Sequence, residues 1–299
     1  MPTGCDCRLL CASVFAYSVH ANGRVPPASP YDAAVGFTQP PVGFAAGVAD
    51  INACLIGTNA DGVILAFRGT LPPTSPDHRQ TVIDWFNDFH AELISAPHLT
   101  GRVHAGFWQA LDSLWVPLVQ EVKARLNAAG GACKLYITGH SKGGGMAPLA
   151  AMRFAVEEGI IPTVCTFAAP HPSDEDFATA YNAKVTDSTR YEYADDIVPH
   201  VPPSLAFRHM FAAVPFFQLD PAMAARIHRL DLNYTSVGTL QFINWDGAIV
   251  GDSPMLRFNR FESLVKLIIR LGFETIVKDH ASQCGGGYMS AVCPTDVCP

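Results

Sequence analysis

Apolar residues along this chain fall into short continuous runs and amphipathic stretches. The runs at 51–57 and 63–67 are joined by the turn-rich spacer 58–62, which predicts a β-hairpin. From Val103 to Leu126 apolar residues recur at helical spacing, and Gly130-Gly131 ends this predicted helix. The first part of the chain therefore predicts both strands and helices.

The middle of the chain has the strongest pattern. A β-branched and aromatic run from Leu135 predicts a strand, a small-residue helical run continues to Val156, and a second strand is predicted from Thr163 to Ala168. Strand–helix–strand alternation is typical of parallel βαβ units and therefore of an α/β sheet. Pro148 lies inside the helix, where it removes a backbone hydrogen bond and is expected to kink or delay the helix.

The pattern after residue 185 extends this sheet. Strands are predicted at 190–193, 234–243 and 248–250, with the turn Trp245-Asp-Gly247 between the last two. A final helix is predicted at 258–271.

The N-terminal run Leu9 to Ala16 fits an amphipathic helix and only weakly resembles a signal sequence. A single Arg8 precedes the run, and Tyr17 and His20 interrupt it soon after. The Pro- and Gly-rich segment 23–43 predicts irregular surface structure.

Composition favours one globular domain over residues 1–299. With 49% hydrophobic residues the chain can bury a large core, and it has no linker, charge block or repeat. Its net charge of −7 argues against a nucleic-acid partner, because binding to the phosphate backbone needs clustered Lys and Arg. No apolar run reaches the length of a membrane span. The oligomeric state is left open.

Cysteines are concentrated at the two ends of the chain. Six of the nine lie there: Cys5, Cys7, Cys11, Cys284, Cys293 and Cys298. Disulfides that fasten the termini and free thiols in a reducing compartment are both consistent with this spacing, whereas a metal site is not, because no paired C-x₂-C array or spaced histidine is present. Cys54, Cys133 and Cys165 fall in predicted strands and are interpreted as buried small hydrophobes.

The segment Gly139-His-Ser-Lys-Gly143 lies where the central predicted strand meets its helix. A G-x-S-x-G pattern in this context predicts a nucleophile elbow, a sharp turn that exposes the serine at the edge of the sheet. Glycines are required because neighbours with a β-carbon do not fit so tight a turn. Ser141 is therefore the candidate nucleophile.

An activated serine needs a base and a group that orients the base. In α/β-hydrolases these follow the serine in the order Asp or Glu, then His. His280 is the preferred base, with His171 and His200 as rivals, and Asp196 is the preferred acid, with its neighbour Asp195 as rival. His140, next to the serine on a tight turn, is expected to point away from it and to pack.

Several motifs occur together in a fixed order over roughly residues 44 to 282. They are Phe67-Arg-Gly-Thr70, Val103-His-Ala-Gly-Phe107, Gly139-His-Ser-Lys-Gly-Gly144, Thr166-Phe-Ala-Ala-Pro170, Asp196-Ile-Val-Pro-His-Val-Pro-Pro203 and Asp279-His280. In combination they resemble the class 3 lipase family, the fungal-lipase-like branch of the α/β-hydrolases. The resemblance implies an α/β-hydrolase fold with a mostly parallel central sheet flanked by helices and with a lid.

The resemblance also implies the function and its residues. It makes Ser141 the nucleophile, Asp196 the acid and His280 the base, and it places the oxyanion hole at the main-chain N–H groups of Thr70 and Lys142. No cofactor and no metal ion are expected. The expected substrate is a lipid or other ester, with a lipid–water interface as one candidate setting, and the resemblance favours secretion. His104 matches a histidine with a structural role in the family.

Two segments are candidates for substrate access. By its position after the oxyanion strand, the segment 71–86 is the candidate lid, with Trp85 and Phe86 facing the site or the lipid; the alternative is a fixed helix with a packed apolar face. The Phe-rich insertion 205–232 follows the acid and is a candidate for the acyl pocket or for core packing.

Two departures from the family pattern limit what the resemblance implies. Lys142 stands where fungal members usually have leucine, and Ala169-Pro-His-Pro172 places His171 at the active-site edge of the sheet. Three alternatives to a lipase therefore stay open: a short-chain or aryl carboxylesterase, a phospholipase, and an inactive binding module with the same fold.

Overall fold

The computed structural model describes residues 4–27, 29–70, 92–130, 133–202, 233–270 and 272–297. Its centre is a sheet of eight strands in the order β1-β2-β3-β6-β7-β8-β9-β10. The five strands from β3 to β9 run parallel, and the strands at both edges are antiparallel to their neighbours. The predicted α/β architecture with a mostly parallel sheet is confirmed.

The strands are short and mostly buried. They are β1 (Val42–Ala46), β2 (Asn52–Thr58), β3 (Gly62–Phe67), β4 (Leu93–Ser95), β5 (Arg102–His104), β6 (Lys134–His140), β7 (Thr163–Phe167), β8 (Ser188–Tyr193), β9 (Thr239–Ile243) and β10 (Ile249–Gly251). Strands β4 and β5 pair with each other in a separate two-stranded sheet.

Helices cover both faces of the sheet. The α-helices are α1 (Cys5–Phe15), α2 (Pro30–Val35), α3 (Ala105–Ala128), α4 (Lys142–Arg153), α5 (Glu175–Lys184), α6 (Pro254–Ile269), α7 (Phe273–Asp279) and α8 (Gly287–Val292). The predicted helix at 258–271 thus begins four residues earlier, at Pro254.

Alternation along the central strands divides the core into two layers. In β3, Val63, Leu65 and Phe67 pack with α3 and α4, whereas Ile64 and Ala66 pack with α1 on the other face. This pattern of two buried faces is typical of parallel strands and explains why β3 is a continuous apolar run.

The N-terminal run predicted as a helix forms α1, which packs against the sheet. Leu9 and Leu10 are completely buried in the second layer. Helix α8 joins the same layer near the C-terminus, where the disulfide Cys7–Cys293 connects it with α1. Of the two alternatives left open for the terminal cysteines, this bridge supports disulfides that fasten the termini.

The other cysteines include one more disulfide-bonded residue and several free thiols. Cys284 is also disulfide-bonded, but Cys5 and Cys11 are free thiols, so the cysteines of the N-terminal end are not all paired. Cys54 and Cys165 are buried in strands as predicted, whereas Cys133 lies one residue before β6 and is only partly buried.

Three sequence expectations are corrected by the structure. The segment 23–43, expected to be irregular, contains α2 and the start of β1. Val103 belongs to β5, and the helix that it was expected to open begins at Ala105 with His104 as its N-cap. Of the two effects expected of Pro148, a kink or a delay, the delay does not occur: α4 begins directly after Ser141 and continues past the proline into a π-helical turn at Phe154–Glu158.

The candidate lid at 71–86 and the Phe-rich insertion at 205–232 lie outside the described residues. Among the helices that are described, none is long and apolar enough to cross a membrane.

Candidate active site

Ser141 lies at the sharp turn between β6 and α4. Its backbone has φ 57° and ψ −130°, a conformation that costs free energy for a residue with a β-carbon and that is typical of functional turns. The turn places the serine at the carboxyl edge of the parallel strands, where ligands bind in open α/β sheets. The predicted nucleophile elbow is therefore formed.

The glycines around Ser141 make this turn possible by close packing. A β-carbon on Gly139 would lie 2.3 Å from the main chain of Gly143, and one on Gly143 would lie 2.2 Å from the carbonyl oxygen of Phe67. A β-carbon on Gly145 would lie 2.6 Å from the ring of Phe107. Larger residues at these positions would push α4 away from β3 and β6.

The side chains of Ser141, His280 and Asp196 form one line of hydrogen bonds. His280 Nε2 lies 2.9 Å from Ser141 Oγ, and its Nδ1 lies 3.1 Å from each of the two Asp196 carboxylate oxygens. All three residues are buried. With Nδ1–H donating to the carboxylate, Nε2 is left to accept the serine proton.

The Asp196 carboxylate accepts two further hydrogen bonds. The Val198 N–H donates to Oδ1 at 2.9 Å, and the Tyr288 hydroxyl donates to Oδ2 at 2.8 Å. Tyr288 is completely buried on α8, and its hydroxyl in turn accepts the Tyr193 N–H at 3.0 Å. Burial and the neighbouring Asp196 charge raise the pKa of Tyr288 well above its usual value, so the hydroxyl stays protonated and able to donate.

His140 supports the candidate base from behind. Its Nε2 lies 2.8 Å from the main-chain carbonyl oxygen of His280, and its Nδ1 lies 2.8 Å from the hydroxyl of Tyr17. Burial lowers the pKa of His140 to about 3, so the ring is neutral, with Nε2–H donating to His280 and Nδ1 accepting from Tyr17. The sequence expectation of a packing role is thus refined into a hydrogen-bonded one.

The rival histidines lie elsewhere. Nδ1 of His171 bonds to the Pro202 carbonyl oxygen at 2.7 Å, and Nε2 of His200 lies 3.2 Å from the guanidinium of Arg260. Burial lowers the pKa of both rings, for His200 to about 3 with the Arg260 charge adding to the effect. His280 is the histidine that the fold places at Ser141.

The rival acid is excluded in the same way. Asp195 Oδ2 accepts a hydrogen bond from the Trp245 indole at 2.8 Å, whereas the carboxylate at Nδ1 of His280 is that of Asp196.

The expected oxyanion donors follow β3 and β6. Lys142 is the first residue of α4, so its N–H is at the helix N-terminus next to Ser141. Gly69, which precedes Thr70, lies against the elbow: a β-carbon there would lie 2.8 Å from the His140 carbonyl oxygen and 2.0 Å from the Tyr17 hydroxyl. The segment ending at Thr70 therefore lies at the catalytic edge of the sheet.

The side chain of Lys142 points away from the line of three residues. Its ammonium group donates to Asn52 Oδ1 at 2.7 Å, at the start of β2. The departure from the usual leucine thus adds a hydrogen bond between α4 and β2, and leaves the main-chain N–H of Lys142 unaffected.

Arg68 and His104 serve the fold rather than the chemistry. The buried guanidinium of Arg68 donates to the carbonyl oxygens of Val19 and Asp50, both at 2.6 Å. His104 Nδ1 accepts the Phe107 N–H at 3.2 Å and its ring stacks on that of Phe107 at 3.8 Å. These contacts agree with the structural role that the resemblance implies for His104.

Two functional contacts were not found from the sequence. Tyr288 and Tyr17 lie 92 and 123 positions from the residues that their hydroxyls contact. No motif marks either tyrosine, and the one available signal was the low polarity of the segments that carry them.

One group of side chains among the described residues has the spacing of metal ligands. It consists of Cys7, Cys11 and Cys293. Two of these sulfurs form the disulfide, which leaves one thiol and therefore does not provide the set of thiolates that a zinc site needs.

Comparison with known proteins gives a family match across the centre of the chain. The family model described as "Lipase (class 3)" matches residues 64–206, which include Ser141 and Asp196. The chain is 27% identical over 152 residues to the secreted mono- and diacylglycerol lipase 1 of Fusarium solani, covering 49% of this chain and 41% of that protein. It is 30% identical over 178 residues to a lipase of Rhizopus niveus, covering 56% and 42%. The matches thus span less than half the length of these curated relatives.

The fold also matches solved structures. The native Rhizomucor miehei lipase in complex with its propeptide superposes with a TM-score of 0.58 at 20% identity, over 82% of this chain and 68% of that one. This similarity shows that the chain has the α/β-hydrolase fold of the fungal lipases.

Proposed function

Because this chain belongs to the class 3 lipase family, we propose that it is a serine carboxylester hydrolase, a lipase that acts on acylglycerol esters. The observation that carries the proposal is the line of hydrogen bonds from Ser141 Oγ through His280 to Asp196. A serine hydroxyl is a weak nucleophile until an adjacent base takes its proton, and this geometry supplies the base and the group that orients it.

In the first half of the proposed reaction, Ser141 Oγ attacks the ester carbonyl carbon. His280 Nε2 takes the serine proton, and Asp196 holds the ring in the Nδ1–H tautomer and stabilises its charged form. The carbonyl oxygen becomes an oxyanion, to which the main-chain N–H groups of Thr70 and Lys142 donate. The oxyanion then collapses, His280 returns its proton to the leaving alcohol, and an acyl-enzyme remains.

In the second half, water attacks the acyl-enzyme. His280 now takes a proton from the water, and a second oxyanion forms in the same hole. Collapse of this intermediate releases the fatty acid and returns the proton to Ser141. In this scheme every proton that moves is carried by Nε2 of His280.

A comparison of ester substrates tests the proposal. We expect hydrolysis of emulsified long-chain acylglycerols at a higher kcat/KM than that of soluble short-chain or aryl esters. A preference for the soluble esters would make the protein a carboxylesterase, and release of acyl chains from phospholipid vesicles would make it a phospholipase. A wild-type protein that neither hydrolyses any ester nor reacts with a serine-directed phosphonate would contradict the hydrolase proposal.

Removal of the Tyr288 hydroxyl is expected to slow this reaction. In Tyr288→Phe, Asp196 loses a charge-assisted hydrogen bond and is held less firmly against His280, so we expect kcat to fall by about tenfold with little change in KM. The measurement is steady-state kinetics on one ester, together with the thermal unfolding midpoint.

A matched control separates catalysis from packing. Tyr181 is also completely buried, and its hydroxyl contacts Ser188 at 2.9 Å, on α5 and away from the three catalytic candidates. Tyr181→Phe is expected to lower stability to a similar extent and to leave kcat unchanged. Equal effects of the two substitutions on kcat would refute a positioning role for Tyr288.

A further inference from the structure

Two more carboxyl groups belong to the residues directly before Asp196 and His280 in the sequence, and the proposed mechanism does not use them. Asp195 immediately precedes the acid, and Asp279 immediately precedes the base at the end of α7. The main-chain N–H of Asp195 donates to Asp279 Oδ2 at 3.1 Å. The Asp279 carboxyl group therefore lies against the main chain of Asp195, and the negative charge of Asp195 acts on it.

The Asp195 carboxyl group is buried and only partly satisfied. The residue is 6% exposed, and Oδ2 accepts the Trp245 indole N–H at 2.8 Å. Its other oxygen, Oδ1, is buried without a hydrogen-bond donor among the residues that the structure describes. A buried carboxylate oxygen without a donor is costly, so a proton nearby would be bound favourably.

We propose that Asp195 and Asp279 share one proton and form a positioning pair that fastens the loop carrying Asp196 to the helix that ends at His280. The Asp279 carboxyl group holds the proton and donates it to Asp195 Oδ1, while Asp279 Oδ2 accepts the Asp195 N–H. The pair joins the acid and base segments at the residues directly before Asp196 and His280, and Trp245 joins the β9–β10 hairpin to it. Its effect on catalysis rests on the proposed function.

The charges around the pair favour this sharing. Burial raises the pKa of Asp279 to about 7, and the negative charges of Asp195 and Asp196 add to the effect. Tyr193, at the end of β8, faces both carboxyl groups and contributes no positive charge: burial raises its pKa, and the two aspartates raise it further. On α7 itself, the exposed Lys278 pairs with Glu274. The charge of Asp195 therefore opposes ionisation of Asp279.

The sign of the pH dependence follows from the folded pKa. The folded chain binds the Asp279 proton more tightly than the unfolded chain, whose aspartates titrate near pH 4. The stability that the pair contributes is therefore complete below about pH 4 and is lost as the pH rises towards 7. Above neutrality the pair carries two negative charges and no longer holds the two segments together.

Amide substitutions test the pair, because an amide N–H replaces the shared proton permanently. In Asp279→Asn the side-chain NH₂ can donate to Asp195 Oδ1 at every pH, and Asp195→Asn supplies the donor from the other side. We expect the wild-type unfolding midpoint to fall by roughly 3 °C between pH 5 and pH 8 from this pair, and either amide variant to remove most of that fall. Asp279→Ala should lower kcat several-fold, and Asp279→Asn should restore it.

Asp174→Asn is the matched control. Asp174 is also 6% exposed, but its carboxylate is held by Arg102 and by the N–H of Phe177 instead of a second carboxyl group. It should lower the unfolding midpoint at every pH and leave the slope between pH 5 and pH 8 as in the wild type. The unfolding midpoint is measured without turnover. If the protein hydrolyses no ester but the amide substitutions still remove the pH dependence of the midpoint, the hydrolase proposal is refuted and the Asp195–Asp279 pair is retained.

Two results would overturn the pair. One is an unfolding midpoint that falls between pH 5 and pH 8 in both amide variants by as much as it does in the wild type. The other comes from an NMR titration of the carboxyl carbons, in which the Asp279 signal is identified as the aspartate signal that disappears in Asp279→Asn. The pair is overturned if this signal does not titrate between pH 6 and pH 8. Either result in an active enzyme would leave the hydrolase proposal standing.

Discussion

Ser141→Ala is expected to abolish ester hydrolysis, with a loss of roughly 10⁵- to 10⁶-fold in kcat. The substitution removes the hydroxyl oxygen that lies 2.9 Å from His280 Nε2 and puts a methyl group in its place. It keeps the β-carbon and hence the backbone conformation of the elbow, so the protein should fold as before. The checks are hydrolysis of an ester and covalent labelling by a serine-directed phosphonate, both of which should disappear.

Ser13→Ala is the control for this result. Ser13 is also completely buried, and its hydroxyl donates to the Leu10 carbonyl oxygen inside α1. This variant should keep full labelling and turnover. Labelling of Ser141→Ala at the wild-type rate would mean that another residue is the nucleophile.

The central part of the fold was predictable because its signals are local. The spacer 58–62 lies between two apolar runs and forms the turn between β2 and β3, and the run 135–140 forms β6. The strands β2, β3 and β6 are buried, and burial explains both their apolar sequence and their place inside the sheet. Strand β1 was missed because it is an edge strand with one exposed and four half-buried residues, interrupted by Gly43.

The line of three candidate residues was predictable from order along the chain, because parallel strands bring their carboxyl ends to one edge. Strand β6 ends directly before Ser141 and strand β8 ends shortly before Asp196, so the topology brings these two residues to the same edge of the sheet. The residues that hold this line, by contrast, come from the two ends of the chain. Tyr17 follows α1 and Tyr288 lies on α8, and only packing of these helices on one face of the sheet brings their hydroxyls to the site.

Asp195 shows where a sequence argument needed the structure. It directly precedes Asp196 in the turn after β8, and the two carboxyl groups contact different partners, Trp245 and His280. The sequence offered both as the acid. The contact with the ring of His280 decides between them.

Asp196→Asn is expected to lower kcat by roughly 10⁴-fold while the protein remains folded. The carboxylate accepts hydrogen bonds from the His280 ring, the Val198 N–H and the Tyr288 hydroxyl, so every group that faces it is a donor. The amide introduced by Asp196→Asn has an NH₂ group that would face these donors. Two donors cannot bond to each other, so the NH₂ is expected to donate to His280 Nδ1 in its unprotonated form. That bond selects the tautomer with hydrogen on Nε2, which points at Ser141 and cannot take its proton.

Two measurements separate this tautomer effect from loss of structure. The thermal unfolding midpoint of Asp196→Asn should fall by no more than that of Asp174→Asn, whose aspartate is also buried and whose substitution should leave kcat unchanged. Proton NMR of the histidine ring should show the N–H resonance on Nδ1 in the wild type and on Nε2 in Asp196→Asn. A variant that keeps more than a tenth of the wild-type kcat would show that Asp196 does not orient the base, and would remove the acid from the proposed mechanism.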